Sequence, residues 1–398
     1  MQINDIKTPC FVLELDKLYN NIDSFQTALD NRFPINVLGY SVKTNSTPAL
    51  LKEIKKKGCY AEVVSYHEYQ LAIALGFQPT QIIYNGPLKS QETFLHAIIN
   101  GAYVNIDSKR ELEWLKILPQ GADYNVGLRI NLNLQEISPE DCKAQEDYSR
   151  FGFSIENGEF ENAISYIKYL GNTRIKGLHL HRTSKTRSLS VYSNICQYAL
   201  KVIQRYNLEL GYIDIGGGFY GDMPGKPTYS DYVNVIADTL SAQLDISKIC
   251  LIVEPGNALI ASPFTFYSSV IDTKDIGRNR IVVLDGSRND IDPFFHKNDY
   301  YKEFISKSAN RQTVPMQTFV GGTCLENDKL FSIENAIESR VGDMIRFSFV
   351  GAYTTCLSPL FIRYFPRVYI QSGEQFELAR EEWNEKDYLQ ENSIKKCD

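Results

Sequence analysis

Between residues 35 and 253 the sequence alternates short apolar runs with amphipathic stretches, and it does so eight times. Strand-like runs fall at 35–42, 59–64, 81–84, 103–106, 124–132, 174–181, 210–215 and 248–253. Helical periodicity fills 47–57, 66–75, 90–100, 108–118, 155–169, 191–205 and 229–240, several opened by a Ser, Thr or Asp cap. Strands separated by helices pair in parallel, because only a crossover long enough to hold a helix returns the chain to the same sheet edge. Eight such units match a (β/α)8 barrel, and the competing arrangement is a doubly wound open sheet. The reactive side chains decide between them. Lys43, Glu62 with Ser65, Arg129, His179 with His181, Gly216 to Gly218, and Glu254 lie at the ends of six different runs. A barrel gathers all strand ends at one mouth, whereas an open sheet brings only a few together.

The flanks have another rhythm. A strand-like run at 8–14 and a helix at 15–29 precede the ladder, and after Pro263 β-type runs dominate, at 265–272, 280–284, 317–320, 344–349 and 367–370. The expected organisation is a barrel over 15–262, a mostly β domain built from 1–14 with 263–373, and a charged tail over 374–398 that frays or lacks order.

Charge and cysteine usage exclude several classes. Lys and Arg number 42 against 48 Asp and Glu, a net −6 spread without long single-sign runs, so nothing marks a nucleic-acid partner. The densest basic cluster, Lys55 to Lys57, ends a helical pattern just before Gly58, where cations suit a helix C-terminus. The first residues lack a basic segment followed by an apolar one, and no window approaches ~18 uninterrupted apolar residues. A soluble, cytoplasmic protein without a membrane partner is expected. Eight cysteines (10, 59, 142, 196, 250, 324, 356 and 397) contain no C-x-x-C pair, which argues against a disulfide scaffold and a structural zinc site.

Four features carry chemistry. Lys43 in Gly39-Tyr40-Ser41-Val42-Lys43-Thr44-Asn45 sits at the end of a buried run, where desolvation favours the neutral amine that attacks a carbonyl, although taken alone a lysine simply reaching out of a strand end is the commoner reading. Gly216-Gly217-Gly218 after a strand exposes backbone N–H groups to an anion, although a ligand-free tight turn reads equally well, and the spacing is not that of a dinucleotide fingerprint. His179 and His181 alternate and so face one side, and Glu254 opens Glu254-Pro255-Gly256. Both histidines with Glu254 would suit a metal, but that leaves the lysine and the glycines unexplained. Pyridoxal phosphate uses all four: an amine for its aldehyde, N–H donors for its phosphate, a planar group against its ring and an acid near its pyridine nitrogen.

On these motifs the sequence resembles the fold-type III pyridoxal-phosphate decarboxylases, which include the diaminopimelate and ornithine decarboxylases. The resemblance runs from Thr8 to about Arg367. Tyr40 to Asn45 looks like the family's Schiff-base lysine motif. Glu62-Val63-Val64-Ser65 with Glu68 resembles the acidic element that follows, and Ser149-Arg150-Phe151-Gly152 the basic-Phe-Gly turn. Gly177 to Ser184 is similar to the ring-stacking histidine segment, Asp214 to Phe219 to the phosphate-binding turn, and Glu254-Pro255-Gly256 to the pyridine-binding carboxylate. Gly322-Thr323-Cys324 and Gly351-Ala352-Tyr353 resemble the proton-donor cysteine and the cofactor-reaching tyrosine. The resemblance therefore implies Lys43 and Cys324 as catalytic residues. It implies Lys43, Glu62, Arg129, His181, Ser184, Gly216, Gly217, Gly218, Glu254, Gly256 and Tyr353 as cofactor-binding residues, with Arg150, Asp292 and Glu326 facing the substrate. It also implies a homodimer with shared active sites, the β domain of one chain completing the barrel mouth of the other.

Departures from the pattern bear on the substrate. Asn257 stands where the family has arginine after Glu-Pro-Gly, with Arg182 a candidate substitute. Leu325 follows Cys324 where diaminopimelate decarboxylases have glutamate, and Glu326, one step later, faces the other way in an extended chain. Asp292 replaces an arginine before Pro293, removing the clamp for a distal carboxylate. The expected reaction is decarboxylation at the α-carboxylate of an amino acid or an amino-acid-bearing intermediate other than diaminopimelate, in a specialised pathway of siderophore, antibiotic or polyamine type. Two alternatives stand beside it. A racemase on the same fold is opposed by the electron sink that Glu254 promotes, and an inactive regulatory homologue by the joint presence of Lys43, His181, Glu254 and Cys324.

Overall fold

The computed structural model describes residues 3–142, 149–221, 223–306 and 309–390; Cys397 and the end of the expected tail lie outside them. The chain forms two units, Asn20–Leu259 and Met1–Tyr19 with Ile260–Asp398. The first boundary falls inside the helix Leu15–Asp30, rather than before it as the expected boundary at residue 15 has it.

Strand β1 (Cys10–Glu14) belongs to the second unit. The first unit holds β2 (Asn36–Ser41), β3 (Tyr60–Ser65), β4 (Ile82–Leu88), β5 (Tyr103–Ile106), β6 (Tyr124–Arg129), β7 (Thr173–Leu180), β8 (Tyr212–Gly216) and β9 (Cys250–Glu254). These eight run parallel and close into a barrel in sequence order, β9 returning to β2 through Asn36↔Leu251, Val37↔Ile252 and Leu38↔Val253. Closure excludes the open sheet. All five residues of β8 and of β9 are buried, as strands covered on both faces must be.

Helices return the chain between strands, and their caps stop them where the next strand must start. Ser188 Oγ accepts from Val191 N at the start of Leu189–Tyr206, whose Val191, Ile195, Ala199 and Val202 are buried on one stripe. Thr228 and Asp231 form a reciprocal capping box for Tyr229–Ser241.

The barrel interior is layered. At the N-terminal ends of the strands Val37, Ile83, Tyr212, Cys250 and Ile252 form an apolar cluster joined by Tyr60 and Tyr103. Toward the C-terminal ends the buried side chains are polar: Glu62, Asn85, Asn105, Arg129, His179, Asp214 and Glu254. Buried polar groups on this scale require partners, and a functional mouth is where barrels place them.

The second unit contains β10 (Phe264–Ile276), β11 (Asn279–Leu284), β12 (Lys302–Ile305), β13 (Thr313–Val320), β14 (Lys329–Ile337), β15 (Met344–Ser348), β16 (Arg367–Ser372) and β17 (Gln375–Arg380). With β1 they make one nine-stranded sheet, β1 pairing antiparallel with β10 and parallel with β16. The expected tail over 374–398 is corrected here. Gln375–Arg380 pairs antiparallel with β16, Phe376 is buried beside Tyr369, and a short helix, Glu385–Leu389, follows. Among the described residues no helix is long and apolar enough to cross a membrane.

Candidate active site

The strand ends converge as expected. Lys43, Glu62, Arg129, Arg150, His181 and Glu254 line one cavity of about 370 Å³, together with Asn85, Leu88, Phe151 and His179. Pairing explains the convergence: Ser41 lies opposite Glu62, Arg129 opposite His179, and Gly216 opposite Glu254.

Lys43 differs from its expected setting. β2 ends at Ser41, the residue that pairs with Glu62, and the chain then turns through a 3-10 element, Val42–Thr44, that carries the lysine. The side chain is 37% exposed and its Nζ donates to Ser41 Oγ at 2.6 Å and to Glu62 Oε2 at 2.9 Å. An ion pair to a buried carboxylate, not desolvation, is the lysine's environment. Glu62 also accepts from Ser41 Oγ (2.5 Å) and Asn85 Nδ2 (3.0 Å), so its carboxylate is fixed from three sides.

Glu254, at the end of the strand that pairs with β2, and the two histidines line the same cavity. Asn85 Nδ2 donates to Glu254 Oε1, and His179 Nε2 lies 3.5 Å from Glu254 Oε2. Burial pushes the Glu254 carboxyl up, a shift opposed by the Lys43 charge. Burial, reinforced by Arg129, pushes both His179 and His181 well below the usual imidazole range, so the rings are neutral. They lie nearly parallel, 12° apart with centroids at 6.3 Å, which confirms the shared face of alternate strand positions. Both nitrogens of His179 and the Nδ1 of His181 are buried without a hydrogen-bond partner among the described residues. Arg182 follows His181, and its charge adds to that ring's downward shift.

Arg129, 6% exposed, donates to Asp107 Oδ1 at 3.2 Å, and Phe151 is held between the Arg129 and Arg150 guanidiniums at 4.5 and 4.8 Å. The glycine turn is a close-approach device. A Cβ on Gly216 would stand 2.2 Å from His181 Nδ1, and one on Gly256 would stand 2.0 Å from Thr44 Oγ1. Ser184 lies in the loop beyond His181, where its Oγ accepts from Arg187 N at 3.1 Å.

The remaining predicted residues belong to the second unit. Cys324 is exposed on a loop fixed by Asp328, which accepts from Ser287 Oγ (2.9 Å), Arg288 N (2.8 Å) and Thr323. Glu326 is exposed in the same loop. Tyr353 is 44% exposed with φ +57°. The expected substrate role of Asp292 is corrected. The residue is 5% exposed, and its oxygens accept from Arg288 Nε, His296 N, Lys297 N and Tyr300 OH at 3.0–3.2 Å. This carboxylate folds the loop at 292–297 and has no face left for a ligand.

Sequence reasoning missed Asn85, Asn105 and the inward side chain of Asp214. Asn105 Nδ2 donates to Asn85 Oδ1 (2.8 Å) and Asp214 Oδ2 (2.6 Å), and Tyr212 OH donates to Asn105 Oδ1 (3.0 Å). An asparagine in the middle of an apolar strand, as in Tyr103–Ile106, is the signal that could have found them, since its amide must be satisfied inside the barrel.

This donor set fits pyridoxal phosphate. It offers an amine, a buried carboxylate and neutral imidazoles with unfilled nitrogens in one cavity, and beside them glycines where a Cβ would strike His181 or Thr44. Comparison with known proteins agrees. The chain is 28% identical over 336 residues to a probable chloroplastic diaminopimelate decarboxylase of Oryza sativa subsp. japonica, spanning 81% of this chain and 66% of that one. It is 26% identical over 363 residues to diaminopimelate decarboxylase of Aquifex aeolicus, spanning 88% and 83%. Its fold matches the crystal structure of the M. jannaschii diaminopimelate decarboxylase in co-complex with L-lysine, with a TM-score of 0.85, 23% identity and coverage of 98% and 93%. It also matches the arginine decarboxylase of Paramecium bursaria Chlorella virus, with a TM-score of 0.74, 21% identity and coverage of 92% and 97%. Residues 15–261, more than half of the chain, match the family described as pyridoxal-dependent decarboxylase, pyridoxal binding domain, and with the site geometry this establishes that the chain belongs to the pyridoxal-dependent decarboxylases.

Proposed function

We propose that the protein removes the α-carboxylate of an amino acid as carbon dioxide, and that its substrate carries a distal group other than the second amino-carboxylate of diaminopimelate. One observation carries the first half: Lys43, ion-paired to Glu62 at 2.9 Å, shares one cavity with Glu254, His179 and His181. Bound pyridoxal phosphate supplies an electron sink for the pair released when the carboxylate leaves. Lys43 would hold the cofactor's aldehyde carbon, Glu254 would accept a hydrogen bond from its pyridine nitrogen, and His181 would lie against its ring. Neutral imidazoles suit that contact, because they neither repel the ring-nitrogen proton nor compete for Glu254. Glu62 keeps the Lys43 ammonium in place, and Arg129 and Arg150 put positive charge at the mouth, where an anionic substrate enters.

The second half is supported by Asp292, whose carboxylate is consumed by the fold where an arginine was anticipated, and by Leu325 after Cys324. The same departures support a tailoring step in a specialised pathway. Pairing of two chains is supported by the exposed position of Cys324 and by the exposed apolar side chains Tyr353, Leu357, Leu360 and Ile362 on the second unit. In that arrangement Cys324 returns a proton to the α-carbon. Cys10, Cys59, Cys196, Cys250 and Cys324 are thiols outside any disulfide, which supports a reducing, cytoplasmic setting.

The test is carbon dioxide release from a panel of lysine, ornithine, arginine, meso-diaminopimelate and amino acids with larger distal groups, at saturating pyridoxal phosphate. Release with a preference against meso-diaminopimelate is expected. Efficient turnover of meso-diaminopimelate would refute the substrate half, and loss of chirality without gas would favour the racemase.

A further inference from the structure

The polar layer of the barrel contains more acceptors than donors, and the imbalance can be placed on one atom. Asn85 spends its two amide hydrogens on Glu62 Oε1 (3.0 Å) and Glu254 Oε1. Asn105 spends its two on Asn85 Oδ1 (2.8 Å) and Asp214 Oδ2 (2.6 Å), and the Tyr212 hydroxyl hydrogen goes to Asn105 Oδ1 (3.0 Å). The amide orientations follow, since each nitrogen faces a carboxylate. Among the described residues no donor reaches the buried Asp214 Oδ1; the one N–H left over nearby belongs to the neutral His179, whose Nε2 lies 3.5 Å from Glu254 Oε2. What faces Asp214 is another acceptor: Asp214 and Glu254 project from neighbouring strands, with Gly216 opposite Glu254, and their oxygens lie with a nitrogen of His179 within 4.8 Å of one another. Two buried carboxylates that close repel each other when both are charged, and a proton shared between them removes the repulsion.

We propose that Asp214 is a positioning residue held as the neutral acid, donating its proton to Glu254, so that the pair carries one negative charge instead of two. The surroundings decide which partner keeps the proton. Lys43 and Arg129 favour charge on Glu254, whereas the nearby negative groups of Asp214 are Glu254 and Glu62. The other titratable neighbours, Tyr212, Cys250 and the neutral His179, contribute no cation. Donation from Asp214 fixes the Glu254 carboxylate in the plane it needs and tempers its basicity toward a ring-nitrogen proton. That consequence rests on the function proposed above; the protonation itself does not.

The decisive experiment is infrared difference spectroscopy near neutral pH, wild type minus Asp214→Asn, on protein with and without pyridoxal phosphate. A carbonyl stretch of a protonated carboxylic acid is expected in the wild type and not in the variant. Its absence from the wild type overturns the proposal, whether or not any variant folds. In carbon dioxide release, Asp214→Asn keeps a neutral donor and is expected to retain at least about tenfold more kcat than Asp214→Leu, which keeps none. Equal losses in the two would mean that negative charge, not a proton, is required, and would also overturn it. A protein that shows the acid band yet releases no carbon dioxide from any amino acid would instead overturn the function and leave the shared proton standing.

Discussion

Replacing Lys89 by Met tests how the mouth of the barrel is held in place. Lys89 and Glu111 are both completely buried and lie 3.0 Å apart. Lys89 Nζ also donates to the carbonyls of Gly86 (2.7 Å) and Asn105 (3.1 Å), the strand ends that carry Asn85 and Asn105. Losing one member of a buried pair costs about 3–5 kcal/mol, chiefly because the other charge is stranded. Here Glu111 keeps two donors, Asp107 N and Ser108 Oγ at 3.0 Å, so the low end of that range, about 3 kcal/mol, applies. Urea unfolding followed through Trp114, which lies in the same short helix as Glu111, reads the barrel directly. A double-mutant cycle with Glu111→Gln should return a coupling energy of at least ~1 kcal/mol, since each single change strands a partner that the double change does not. Additive losses, or a cost below ~1 kcal/mol for Lys89→Met, would refute the reasoning, because a dry ion pair cannot be both intact and uncoupled. Affinity for pyridoxal phosphate should weaken in the same variant, as the Asn85 and Asn105 backbones relax.

Four further outcomes follow from the geometry. Lys43→Ala should abolish the visible-violet absorbance of protein mixed with pyridoxal phosphate, and Glu62→Gln should weaken it without abolishing it; unchanged spectra in both would exclude Lys43 as the attachment point. Glu68 tests pH dependence. Burial pushes its carboxyl up to about 7, so the folded chain retains a proton that the unfolded chain releases nearer 4.5. Its stabilising contribution is therefore full below 4.5 and lost as pH rises toward 7, and Glu68→Gln should gain stability over wild type across that window and hold the gain above it. Asp292 has the opposite sign: burial raises its carboxyl, but the backbone N–H bonds of Lys297 and His296 together with Arg288 outweigh it and hold the group below the usual range, so its contribution is present above the unfolded pKa and lost as pH falls, and Asp292→Ala should cost about 1–3 kcal/mol near neutral pH. Cys324→Ala should lower the yield of correctly protonated product more than it lowers the rate of carbon dioxide release, measured by product chirality in deuterated water.

The parts of this molecule legible from its sequence are those whose signal is local. Eight apolar runs separated by capped helices announce a barrel, because parallel pairing through helical crossovers leaves few alternatives. The site was legible for a related reason: Lys43, Glu62, Arg129, His181 and Glu254 stand at or near run ends, and closure brings run ends together without knowledge of any particular contact. What escaped depends on partners distant in sequence. β14 (Lys329–Ile337) and β17 (Gln375–Arg380) each have one polar face, and only pairing with β13 and β16 makes strands of them. Asp292 looked available because nothing in Asp290-Ile291-Asp292-Pro293 reveals that Arg288, His296, Lys297 and Tyr300 fold back onto it. Lys43 looked like the end of a buried strand because the sequence does not show that β2 stops at the residue pairing with Glu62, so that the lysine follows the strand and reaches a buried carboxylate from the cavity. Asn85, Asn105 and Asp214 left a local mark that does not state its own meaning. Each is a lone polar residue in an apolar strand, and its meaning is the hydrogen-bond count of the closed interior, a quantity that exists only once all eight strands are in place.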